Sequence, residues 1–254
     1  MNVFKAENVS IGYSNKILFK DLNFEIKTGV LTSLLGSNGI GKSTLLKTLS
    51  RLLQPISGSL FIDQQPINQL TQVDFSKLVS VVLTNENVNK ELTVHELVKL
   101  GRQPYTNWLD QLTAEDAAFI EQTLVACEIA DLAQRKLSQL SDGQLQRSLI
   151  ARAVVQDTPF IFLDEPSTHL DLYHKVRLFK LLKNLCEEHN KCILFSTHDL
   201  DLALQLSHEI MLLKDEHFYH DTTENLIKEG VFDRFFDTDD IVFDRERKQF
   251  VIKS

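Results

Sequence analysis

Gly36-Ser-Asn-Gly-Ile-Gly-Lys-Ser43 sets three glycines, a lysine and a hydroxyl close together in the chain. Glycines at this spacing let successive backbone N–H groups turn inward around an anion. A helix starting at the same point adds the positive end of its dipole. Lys42 is placed to reach the β- and γ-phosphates of a nucleotide, and Ser43 to offer a hydroxyl oxygen to Mg²⁺. Gly36, Ser37, Asn38, Gly39, Ile40, Gly41, Lys42, Ser43 and Thr44 are therefore read as a phosphate-binding loop. A second group, Phe160-Ile-Phe-Leu-Asp164-Glu165, is an apolar run that ends in two carboxylates. Asp164 suits Mg²⁺ held through a water, and Glu165 a base that polarises the water attacking the γ-phosphate. The third group is Leu140-Ser-Asp-Gly-Gln144. Ser141 and Gln144 have the spacing of a capping box. Gly143 is unfavourable in a first helical turn, so this helix start also reads as an anion site.

These groups need elements that bring them together. Residues 30–35 form a continuous apolar run, as in a strand buried on both faces, and lead directly into the loop. A helix is expected from residue 41 to about 53, stopping near Pro55 and Gly58. Alternation at Val9, Ile11 and Tyr13, and again at Leu22, Phe24 and Ile26, predicts two opening strands. Residues 59–63 and 78–83 read as further strands. From about 85 to 155 the pattern becomes helical: Thr93-Val-His-Glu96 and Thr113-Ala-Glu-Asp116 each pair a capping hydroxyl with an acid in the first turn. Strand 160–163, helix 171–188 and strand 192–196 then restore α/β alternation, which points to a parallel sheet flanked by helices with a helical insertion. The part after about Glu209 mixes short strands and helices.

Composition narrows the function classes. The chain has 254 residues, 27 Lys and Arg against 35 Asp and Glu, and a formal charge of −8. Phosphate neutralisation on nucleic acid needs clustered positive charge, so no nucleic-acid partner is expected. No apolar run approaches the ~18 residues of a membrane span, and MNVFKAENVS lacks the regions of a signal peptide. Cys127, Cys186 and Cys192 show no zinc-type spacing and read as buried free thiols.

With these motifs in this order, the chain resembles the ATP-binding subunits of ABC transporters over about residues 3 to 215. Ser141–Gln144 matches their signature, with Asp142 in place of its first glycine. Tyr13 matches the aromatic residue that stacks on adenine. Ser167-Thr-His-Leu-Asp171 resembles the D-loop, and Ser196-Thr-His198-Asp199 the switch-histidine segment. The resemblance implies a P-loop NTPase core, a parallel sheet flanked by helices with N-terminal antiparallel strands. That core spans residues 1–84 and 156–215, with a helical subdomain at 85–155 and a small extension at 216–254. It also implies ATP and Mg²⁺ as ligands, with Tyr13, Ser141, Gly143, Gln144 and Asp171 on the nucleotide and His198 beside Glu165 in catalysis. The partner would be a second copy in a head-to-tail dimer, each ATP lying between one loop and the other subunit's signature helix. Transmembrane permease subunits would hold the dimer at the inner face of the cell membrane and link it indirectly to a periplasmic or surface substrate-binding protein.

Thr93-Val-His-Glu96-Leu-Val followed by Gly101-Arg102-Gln-Pro104 resembles a run in the importer ATPases for iron–siderophore, haem and vitamin B12; a capped helix ending at Gly101 explains it equally well. ATPases of other ABC transporters, or of the non-transport ABC class, are the competing readings. A GTPase or small-molecule kinase sharing only the loop leaves LSDGQ, STHLD and His198 unexplained. One departure stands out: the family usually has Gln where this chain has Thr84, and Asn85, Glu86 or a water would have to take its place.

Overall fold

The computed structural model describes residues 2–13, 16–84, 87–106, 111–236 and 240–253. Strands β1 (Val3–Tyr13) and β2 (Lys16–Lys27) pair antiparallel. β3 (Leu31–Leu35) follows, buried at every position, and α1 (Lys42–Leu49) begins just beyond it. α1 is shorter than its pattern suggests: Ser50 Oγ donates back to Leu46 O at 2.8 Å, and Arg51 turns the chain with φ of 60°. β4 (Ser57–Ile62) returns along β1, and β5 (Gln65–Pro66) completes a four-stranded sheet in the order β2-β1-β4-β5.

α2 (Gln72–Ser76) leads into β6 (Val79–Val82), after which the chain turns helical through α3 (Val94–Lys99), α4 (Ala114–Ala126) and α5 (Asp142–Val155). All three helices start in capping boxes, at Thr93, Thr113 and Ser141. Each satisfies N–H groups that the first turn leaves without helical partners. α3 does not stop at Gly101; a tight turn, Leu100–Tyr105, carries the chain on through Pro104.

β7 (Phe160–Leu163), α6 (Leu172–Glu187), β8 (Cys192–Ser196), α7 (Leu200–Leu206) and β9 (Glu209–Lys214) then alternate. β10 (His217–Thr222), α8 (Thr223–Lys228) and a hairpin of β11 (Ile241–Asp244) and β12 (Gln249–Ile252) close the chain.

The central sheet runs β10-β9-β3-β8-β7-β6, parallel throughout except for β10. Side chains alternate across it. Along β7, Phe160 and Phe162 pack toward α1 and the antiparallel sheet, while Ile161 and Leu163 pack toward the helices α3 to α6. A sheet covered on both faces places its ligand at the carboxyl ends of its strands. β3 ends at the glycine loop, β6 leads to Thr84, β7 to Asp164 and β8 to His198. The glycine loop, Thr84, Asp164 and His198 therefore lie at the same end of the sheet.

Candidate active site

The loop between β3 and α1 is shaped by its first glycine. Gly36 has φ of 150°, and a Cβ there would stand 2.6 Å from the carbonyl oxygen of Leu213 and 2.9 Å from Ile40. No side chain fits. Ser37, Asn38 and Gly39 are exposed and Lys42 is buried. The Lys42 ammonium donates to the carbonyls of Gly36 (2.8 Å) and Ser37 (3.2 Å), so it lies folded across the loop. Burial pulls its pKa below the usual lysine range, and the charges of Glu165 and Asp164 push the other way. A cation that is partly desolvated and faced by two carboxylates is set to gain strongly from an incoming polyphosphate. Tyr13 stands at the end of β1, 54% exposed, with its hydroxyl 3.4 Å from that of Thr44.

Asp164 is buried and both of its carboxylate oxygens accept hydrogen bonds. Ser196 Oγ donates to Oδ1 at 2.6 Å and Thr84 Oγ1 to Oδ2 at 3.0 Å. Thr84 thus meets the acidic pair even without the reach of a glutamine. Asn85 and Glu86 lie outside the described residues. Glu165 follows with φ of 50°, a left-handed conformation that costs an L-residue roughly 1–2 kcal/mol. Its N–H donates to Ser196 Oγ at 2.8 Å, and its carboxylate accepts from Thr168 Oγ1 at 3.1 Å and lies 3.8 Å from His198 Nδ1. The unfavourable turn re-aims this one carboxylate off the strand axis toward the loop and the histidine. Ser196 was missed as a site residue in sequence reading, although it sits beside the switch histidine. Its role comes from parallel register, in which Leu163 pairs with Phe195 and so puts Asp164 against Ser196.

Ser167 Oγ donates to Asp199 Oδ2 and Lys175 Nζ to Asp199 Oδ1, both at 2.9 Å, which ties the D-loop to the switch segment. Asp171 caps α6 by accepting from the N–H of His174 at 2.9 Å. That bond, together with the His174 side chain, holds the Asp171 carboxyl below the usual carboxylate range.

The start of α5 faces elsewhere. The Gln144 N–H donates to Ser141 Oγ at 3.3 Å, and the Ser141 N–H donates back to Gln144 Oε1 at 3.1 Å. Ser141, Asp142, Gly143 and Gln144 line a cleft of about 490 Å³ with His169 and Asp171. The D-loop of the same chain passes close over Gly143: a Cβ would stand 3.1 Å from a terminal carbon of Leu170 and 3.2 Å from His169 O, room for a side chain only if these neighbours give by a few tenths of an ångström. The phosphate loop lines a different cleft, with His198. One chain therefore does not bring its signature helix to its own phosphate loop.

Comparison with known proteins decides the family. A family model described as ABC transporter matches residues 19–168. The chain belongs to the ABC transporter family. It is 38% identical over 234 residues to the petrobactin import ATP-binding protein YclP of Bacillus subtilis, covering 92% of both chains. It is also 38% identical over 214 residues to the iron(3+)-hydroxamate import ATP-binding protein FhuC of Bacillus subtilis, covering 84% of this chain and 80% of that one. Among solved structures, a dimeric bacterial ABC transporter cassette superposes with a TM-score of 0.77 at 30% identity, over 87% of this chain and 98% of that one. A cassette dimer in a post-hydrolysis state, bound to ADP and Pi, gives 0.76 with the same identity and coverage. This ABC subunit binds ATP and hydrolyses it. Among the described residues, no helix is long and apolar enough to cross a membrane.

Proposed function

We propose that the chain is the ATP-hydrolysing subunit that energises import of an iron chelate, a siderophore or haem, or of the chemically related vitamin B12. The observation that carries this reading is the pair of iron-chelate import relatives, each matched over at least four-fifths of its length. In this reading a second copy docks head to tail, so that Ser141, Gly143 and Gln144 of one subunit close over the ATP seated on Gly36 to Thr44 of the other. The separation of the two clefts within one chain supports it. Tyr13 stacks on adenine, and Asp171, like Ser141, Gly143 and Gln144, serves the nucleotide. Residues 85–155 move as a helical unit against the core of 1–84 and 156–215. Permease subunits hold the dimer at the inner membrane face, with a substrate-binding protein beyond them.

The residues present fit Mg²⁺. Ser43 and Asp164 supply hard oxygen donors, and Mg²⁺ keeps several waters when bound with phosphates. Among the described residues no group of three His, Cys, Asp or Glu forms a metal site by itself, consistent with an ion that arrives on the nucleotide. Ser43 and Asp164 would hold it, where it neutralises charge on the phosphates. Lys42 leaves the Gly36 and Ser37 carbonyls for the β- and γ-phosphates. Glu165 takes the proton of the attacking water, and His198, 3.8 Å from it, steadies the γ-phosphate side.

The test is uptake of radiolabelled ferric siderophores, haem and cobalamin in the source cell lacking this chain. Wild-type chain should restore one of the three, and Glu165→Gln none. Normal uptake of all three in its absence would overturn the reading.

A further inference from the structure

The aromatic end of the chain reaches the catalytic edge. Phe235, Phe236, Phe243 and Phe250 pack ring on ring, with centroids 4.9 Å apart for Phe235–Phe236, 5.0 Å for Phe236–Phe250 and 5.1 Å for Phe243–Phe250. The same cluster is continuous with Leu35, the last residue of β3 before the phosphate loop, and with Leu200, just past His198. Phe235 and Phe236 share a cleft of about 350 Å³ with Gly36, Ser37, Asn38 and His198. Phe250 lines the adjoining cleft of about 530 Å³, which also borders His198. The histidine thus stands between two hollows, and each has a wall from the C-terminal segment.

The segment is also bonded to the helix that His198 introduces. The N–H of Phe250 donates to Asp201 Oδ1, in the first turn of α7, at 3.1 Å. α7 has no side-chain cap of its own, because the carboxylate of Asp199 is turned to Ser167 and Lys175. The start of α7 is therefore placed by neighbours: the D-loop and α6 on one side, the β11–β12 hairpin on the other.

We infer that the C-terminal hairpin is a positioning element for His198, acting through Asp201 and Phe250. It sets where the imidazole stands over the phosphate loop, and so governs the rate of hydrolysis rather than ATP binding. The inference rests on the reading of His198 as a group on the γ-phosphate side.

The experiment uses the full chain and measures kcat and KM for ATP, with a thermal melt of each variant to confirm folding at the assay temperature. Asp201→Ala and Phe250→Ala should each lower kcat by about tenfold, as expected when a catalytic group is displaced, with KM within about twofold. Asp201→Asn keeps the Oδ1 acceptor and should return kcat to near wild type. In a His198→Ala background, Asp201→Ala should cause no further loss, because both act through one group. A slow His198→Ala with full-rate Asp201→Ala and Phe250→Ala would overturn this inference alone. A full-rate His198→Ala would remove the reading beneath it as well.

Discussion

At the scale of single residues, the site is a set of groups already paired and waiting to exchange partners. Lys42 donates to two loop carbonyls, which in the proposed function it gives up for phosphate oxygens. Lys42→Ala should weaken ATP binding at least tenfold, a loss of only ~1.4 kcal/mol, measured by titration of a fluorescent ATP analogue. Undiminished affinity would show that the loop binds without its cation. Thr84 gives a sharper test, because its hydroxyl bonds Asp164 Oδ2. Thr84→Val keeps the shape and removes that bond. The ATPase rate should fall about fivefold, the equivalent of one hydrogen bond near ~1 kcal/mol, with Mg-ATP affinity within about threefold. An unchanged rate would mean that Ser196 alone holds the carboxylate. The loop, the acidic pair and the signature were legible in sequence because each is a contiguous run with its own chemistry. Thr84–Asp164 and Ser196–Asp164 were not: they join strands far apart in the chain, and the order β8-β7-β6 that brings them together leaves no mark on local pattern.

At the scale of elements, capping spacing predicted all three helix starts in the helical stretch, while helix ends were read less well. α1 stops early because Ser50 and Arg51 turn it, and no glycine or proline marks that point. The Gly101–Tyr105 run has a structural task that its sequence did not disclose. Arg102 Nε donates to Asp116 Oδ1 at 2.8 Å, its Nη1 to Val155 O at 3.0 Å, and its guanidinium lies 4.2 Å over the Tyr105 ring. It pins α3, α4 and the end of α5 together with almost no exposure to water. Asp116→Ala removes the charged partner of the largely covered Arg102, which keeps its bond to Val155 O, and removes the box at Thr113, so it should destabilise the fold by about 3 kcal/mol in urea unfolding. The Thr113 N–H, with Arg102, holds the Asp116 carboxyl below the usual carboxylate range. The sign follows: its contribution is complete above the unfolded value near ~3.9 and is lost as pH falls through the lower folded value. The gap between wild type and variant should therefore be constant above about pH 4 and close below it. A gap that persists under acid would assign the loss to packing alone.

At the scale of the whole molecule, the chain holds two halves of a site that do not meet. The phosphate loop and His198 open on one cleft, and Ser141 to Gln144 on another, roofed by the D-loop of the same chain. A twofold axis cures this, since one isologous contact completes two sites at once. In the proposed dimer ATP acts as part of the interface, and removing its γ-phosphate would loosen both subunits. Asp142 adds a negative side chain to the lining of the signature cleft, which Arg147 and Asp171 also line. Glu165→Gln preserves shape and removes the base, so hydrolysis should fall by about three orders of magnitude, the middle of the range for general acid–base work. ATP should still bind, and the nucleotide-bound dimer should accumulate. Light scattering of the isolated Glu165→Gln chain should give twice the monomer mass in saturating Mg-ATP and the monomer mass without nucleotide. Adding Gly143→Asp, which sets a side chain against Leu170 and the His169 carbonyl, should abolish the ATP-dependent dimer while leaving ATP bound to each monomer. A Glu165→Gln chain that stays monomeric in saturating Mg-ATP would overturn the closing of the two half-sites on each other.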